Sequence, residues 1–101
     1  MHDSSSARGL AEARGERARV RIRLMMGEIS LAEALDDPAS ADVPLVSVLA
    51  ALPGYDWSEV LSAVREAGVA QVGRTADLPR AGRAALMASL ARRNRGAWLG
   101  E

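Results

Sequence analysis

At 101 residues, with 13 basic and 13 acidic side chains, the chain is large enough for one modest core and carries no formal net charge. It contains no Cys, which excludes a disulfide framework, a Cys-based metal site and a Cys nucleophile, and its single His, His2, stands at the start of the sequence. No apolar run reaches the length of a membrane span, and the opening MHDSSSARG lacks the apolar stretch of a signal peptide, so a cytoplasmic protein without a membrane partner is expected.

Ala, Leu, Arg and Glu dominate and all favour helix, while Phe is absent. No stretch alternates at period two. The expected fold is all-α, with about five helices in one domain over residues 8–95. Residues 1–7 are expected to be disordered and 96–101 to form a tail. The first helix is expected from about Arg8 to Met26, long and placed before the rest. Leu10, Ala13, Val20 and Leu24 mark its apolar side, with Ile22 and Met25 beside them. Arg14, Arg17 and Arg21 fall at i, i+3 and i+7 and form a basic stripe. Such a stripe is ordinarily a solvated helix face; its functional alternative is a face that tracks phosphates. Glu16 and Arg19 are spaced to pair. Gly15 weakens this helix by roughly 1 kcal/mol relative to Ala.

Gly27 ends that helix as the residue after its C-cap. Ser30-Leu31-Ala32-Glu33 is a capping box opening a short helix, and Asp36-Asp37-Pro38 closes it. Asp36, Asp37 and Asp42 lack the spacing of a calcium loop and are read as solvated loop acids. Pro44 is expected at the first position of a third helix, whose Leu45, Val48, Leu49 and Leu52 repeat at helical period. Leu52-Pro53-Gly54 ends it. Asp56-Trp57-Ser58-Glu59 is a second capping box, opening a helix that runs to about Ala67. Trp57, Val60, Leu61 and Val64 repeat the helical spacing, which assigns Trp57 to the core and leaves Tyr55 to cover the turn. Gly68 follows as a second helix terminator. Thr75 or Asp77 caps a last helix, with Pro79 in its first turn and Leu86, Met87 and Leu90 facing inward. Arg83 is expected to snorkel outward, within reach of a phosphate. Arg92, Arg93 and Arg95 suit the negative end of the helix dipole. Trp98 and Leu99 either fold back on the core or project toward a partner.

Charge is unevenly spread. Residues 1–26 carry six Arg against three acids (+3), residues 27–66 one Arg against eight acids (−7), and residues 67–101 six Arg against two acids (+4). This pattern permits internal pairing, steering of a partner, or a basic face for nucleic acid. No nucleophile–base pair, phosphate-loop motif or metal cluster is present, so no enzyme activity, catalytic residue, cofactor or metal is expected.

The order of these elements carries a resemblance. V-S-V-L-A-A-L-P-G at 46–54, E-A-G-V at 66–69 and G-R-T-A-D-L-P-R-A-G-R at 73–83 resemble the actinobacterial (mycobacterial-type) integration host factor family, over roughly Arg14 to Leu90. The resemblance implies a long N-terminal helix followed by a helix-two-turns-helix core. It also implies a nucleoid-associated monomer that contacts the backbone of duplex DNA with little sequence preference and bends it. The DNA contacts it implies are Gly54, Trp57 and Ser58 at the first turn and Arg74, Arg80 and Arg83 at the second, joined by Arg14, Arg17 and Arg21; Tyr55 and Trp57 are candidates to stack or wedge against bases. Family members usually read L-P-G-V-G-K at the first turn, where this chain has Asp56 and Trp57 in place of the second Gly and the Lys. At the second turn Asp77 and Pro79 replace glycines. Asp56 then offers its own carboxylate to the amides a phosphate would use. The alternative function is therefore an interaction module that keeps the family fold, has lost DNA binding at the first turn, and engages an unknown protein.

Overall fold

The structure, a computed structural model, describes residues 3–94, 99 and 100. Among the described residues it is all-α, with five helices: α1 (Asp3–Met25), α2 (Leu31–Asp36), α3 (Leu45–Ala50), α4 (Trp57–Glu66) and α5 (Arg80–Asn94). Two 3₁₀ turns, Pro38–Ser40 and Thr75–Asp77, interrupt the connections. Among the described residues there is no strand, only one isolated bridge between Pro44 and Arg74.

α1 spans 23 residues, roughly 35 Å at 1.5 Å per residue. It begins at Asp3, five residues before the expected start, so residues 3–7 are helical. Extending a formed helix costs little per residue, and an acidic residue type suits its positive end. The apolar roles expected of Leu10 and Ala13 lie outside the described side chains. Val20 and Leu24 are buried as expected, but Ile22 and Met25 are 55% and 57% exposed. α1 packs on α2 and on the Pro38–Ser40 turn.

Both capping boxes form. Ser30 Oγ accepts from the Glu33 amide at 3.1 Å, and Glu33 Oε1 accepts from the Ser30 amide at 2.9 Å. α1 and α4 terminate at Gly27 and Gly68, which adopt φ of 74° and 71°. Two proline placements differ by one position from expectation. Pro44 is the N-cap of α3, with Leu45 the first helical residue. Pro79 precedes α5, its carbonyl accepting from the Arg83 amide at 2.8 Å. In both places the proline's backbone carbonyl accepts the first helical bond, and its missing N–H removes no donor that the helix needs.

The core is built from Leu24 of α1, Leu31 of α2, Leu45, Val48 and Leu49 of α3, Val60 of α4, and Leu86 and Leu90 of α5, all essentially inaccessible. α4 and α5 pack side by side. Gly82 of α5 lets Val69, in the connection after α4, approach closely, because a Cβ there would meet Val69 Cγ1 at 2.7 Å. Leu99 folds back on the core and is fully buried, its carbonyl accepting from the Ala32 amide at 2.9 Å. The residues expected as a tail thus include a core residue; Trp98 and Arg95 lie outside the described residues. No described helix is long and apolar enough to cross a membrane.

Candidate nucleic-acid interface

The first turn joins α3 to α4. Gly54, at φ 87°, occupies a left-handed conformation that a residue with a Cβ adopts only at a cost, so the turn depends on it. Tyr55 covers the turn as expected, donating its hydroxyl to the Leu90 carbonyl at 2.7 Å. Burial, and secondarily the Glu59 carboxylate, raise the Tyr55 pKa.

Asp56 caps α4. Its Oδ1 accepts from the Glu59 amide at 2.9 Å and from Ser58 Oγ at 2.6 Å, while Glu59 Oε1 accepts from the Asp56 amide at 3.1 Å. The Ser58 hydroxyl first, and the Glu59 amide second, hold the Asp56 carboxyl below its ordinary range. The Asp56 and Glu59 amides at this helix end are therefore engaged by the chain's own carboxylates.

Trp57 is not a core residue. It is 49% exposed at the first position of α4. The buried face of α4 is centred on Val60, Ala63 and Val64, which places Trp57 roughly 70° off its middle at 100° per residue. The apolar spacing was correct for a helix, but the docking of α5 selects a different centre for its buried side.

The second turn is closed in the same way. The Thr75 amide and hydroxyl both donate to the Val43 carbonyl, at 2.9 and 2.8 Å, and the Ala76 amide donates to Ala41 at 3.0 Å. The Asp77 and Leu78 amides close the 3₁₀ turn, and Pro79 has no amide hydrogen to offer. Arg74 pairs with Asp77 at 3.3 Å and with Asp42 at 3.4 Å. Those carboxylates, Asp77 foremost, raise its pKa further. Arg83 does not simply snorkel. It grips Asp36 through two bonds of 2.5 and 3.3 Å and reaches the Ala32 carbonyl at 3.4 Å. The hydrogen bonds and then the charge of Arg83 lower the Asp36 pKa. Arg80, at the start of α5, is exposed and makes no ion pair among the described residues.

Asp36 and Asp42 are exposed, as expected of solvated acids, and in addition pair with Arg83 and Arg74. The charge imbalance between the middle and the end of the chain was the signal that pointed to them. Glu66 repeats the theme, accepting from Ser89 Oγ at 2.5 Å and pairing with Arg92 at 3.3 Å and Arg93 at 2.7 Å. Its pKa is lowered, by the Ser89 hydroxyl most and by Arg93 next.

On α1 the arginines stand differently. Arg14, Arg17, Arg19 and Arg21 make no ion pair among the described residues, and the expected Glu16–Arg19 pair does not form; Arg23 alone reaches an acid, Glu28 at 3.8 Å. Arg17 borders the same shallow depression as Asp42, the acid that holds Arg74, so the α1 stripe adjoins the second turn. No hydrogen bond or ion pair among the described residues joins the stripe to Trp57 or Ser58. Among the described residues no group of three or more His, Cys, Asp or Glu is placed to hold a metal ion.

The lowered pKa values of Asp36, Asp56 and Glu66 make a pH prediction. Each carboxylate is favoured in the folded state, so its contribution is full above the unfolded pKa and disappears as pH falls through that value toward the depressed one. The midpoint of thermal unfolding, followed by circular dichroism, is expected to hold steady from neutral pH to about 5 and to decline below about 4. The variant Asp36→Asn, Asp56→Asn, Glu66→Gln is expected to melt lower at neutral pH and to show a flatter acid decline; an acid decline as steep as the parent's would contradict these assignments. Comparison of the chain with protein-family models, with curated proteins and with solved structures returns no match.

Proposed function

We propose that this chain binds the phosphate backbone of duplex DNA with little sequence preference, as a monomeric nucleoid-associated protein of the cytoplasm akin to the actinobacterial integration host factors. One observation carries the proposal. Four of the arginines that make no ion pair among the described residues, Arg14, Arg17, Arg19 and Arg21, lie on α1, and the stripe of Arg14, Arg17 and Arg21 adjoins Arg74 through Asp42. A helix presenting several unneutralised guanidiniums suits phosphates, which Arg binds through its planar fork of donors. The contact surface is then α1 with Arg80 and the second turn at its margin, while the first turn, capped by Asp56, contributes little.

Fluorescence anisotropy with a labelled random-sequence duplex tests this. Binding is expected at low salt, with log K falling against log salt at a slope of about −3 if three phosphates are neutralised. No binding at low salt, or binding indifferent to salt, would rule the proposal out. The second reading, an interaction module without DNA binding, is favoured by the internal engagement of donors at both turns. Absence of duplex binding in the same titration selects it.

A further inference from the structure

α1 and α3 flank a groove that the chain leaves open. Ala18, Arg21, Ile22 and Met25 line it from α1, and Ala50 and Ala51 from the end of α3. The alanines give it depth, and Ile22 and Met25, each more than half exposed, form its apolar wall. Met26, 68% exposed, follows directly after Met25. Arg14, Ala18, Arg21 and Met25 follow at i, i+4, i+7 and i+11, which sets them along one side of α1. An adaptable apolar strip is therefore edged by two guanidiniums that have no ion pair among the described residues.

We infer that this groove receives an amphipathic helix of a partner protein, one whose apolar face is edged by carboxylates. Charge complementarity selects the occupant. Apolar side chains at i, i+3, i+4 and i+7 of such a helix fill the strip, and its Glu or Asp residues meet Arg14 and Arg21. DNA would meet the arginines but leave Ile22 and Met25 in water. In a second copy Asp36, Asp42, Glu66 and Asp77 are held in ion pairs and Glu33, Asp37, Asp56 and Glu59 in helix caps, which leaves Glu12 and Glu16 on its own α1. This inference does not depend on duplex binding.

The test uses the full chain and two fluorescein-labelled helical peptides of about 15 residues, long enough for four turns. One is built of Leu, Ala and Glu, with Glu flanking the Leu face; the other carries Lys at every Glu position. The Glu peptide is expected to bind at least about tenfold more tightly than the Lys peptide. Replacing Ile22→Ser together with Met25→Ser is expected to weaken it about tenfold or more, with duplex affinity unchanged. Arg21→Glu is expected to weaken the Glu peptide without touching the apolar wall, and unchanged far-ultraviolet circular dichroism checks each fold. Failure of the Glu peptide to bind, equal binding of the two peptides, or binding that survives the double Ser change overturns the inference. So does a loss of duplex affinity that parallels loss of peptide in the double Ser variant, which would make DNA the occupant. Self-association of the chain in analytical ultracentrifugation, lost in the Ile22→Ser, Met25→Ser variant, would make a second copy the occupant and overturn the inference.

Discussion

Reversing Arg14, Arg17 and Arg21 to Glu is expected to lower affinity for a random duplex at low salt by at least about a hundredfold, which is a little under 3 kcal/mol. Each change removes a phosphate contact and its counterion release, then adds a like charge facing the phosphates. The salt slope is expected to collapse toward zero along with the affinity. The fold is expected to survive. Arg14 is exposed, Arg17 and Arg21 are half-buried, and none of the three makes an ion pair among the described residues. Anisotropy and circular dichroism on the same samples check both halves of the expectation. If affinity is unchanged in a folded triple variant, the interface lies elsewhere, with the open start of α5 near Arg80 the next place to look.

Leu49→Ala is expected to destabilise the protein by about 3 kcal/mol, within the range of about 2–5 for emptying a buried Leu site. α3 has only six residues, too few for a helix to persist on its own, so packing rather than propensity holds it. Leu49 is fully buried, and beside it Leu45 and Val48 are equally enclosed, so the site has little freedom to collapse. A domain of this size is worth roughly 5–15 kcal/mol in total, and each kcal/mol moves its melting point by about 4–8 °C. The loss should therefore exceed about 10 °C by thermal denaturation. Val46→Ala on the same helix, where Val46 is 40% exposed, is expected to change stability by no more than about 0.5 kcal/mol. Equal effects of the two changes would mean that α3 does not pack as described.

The candidate site was partly legible. The anion-binding potential of the first turn and its cancellation by Asp56 both follow from residues within four positions of one another, and the capping box forms with the expected partners. The second turn was less legible. Arg74 and Arg83 are basic in the sequence, yet their neutralisation by Asp42 and Asp36 joins residues 32 and 47 positions apart. Asp77, three positions on, is the local partner of Arg74, but nothing local announces Asp42 or, for Arg83, Asp36. The apolar wall of the α1–α3 groove was similarly hidden, because Ile22 and Met25 satisfy an apolar helix pattern whether or not a neighbour covers them.

The sequence by itself determined the all-α class, the order of the helices, both capping boxes and the glycines that end α1 and α4. These depend on interactions across one helical turn, where spacing along the chain is distance in space. Only the tertiary structure decided which side of each helix is covered. The rotation of α4 against α5 sets Trp57 outside the core, and the return of the chain over α2 brings Leu99 into it. The same docking pairs acids of the middle with arginines of the last third, while Arg14, Arg17, Arg19 and Arg21 of α1 make no ion pair among the described residues. Burial and ion pairing between distant segments depend on how whole helices fit together, and a repeat of 3.6 residues describes a helix without naming its neighbour.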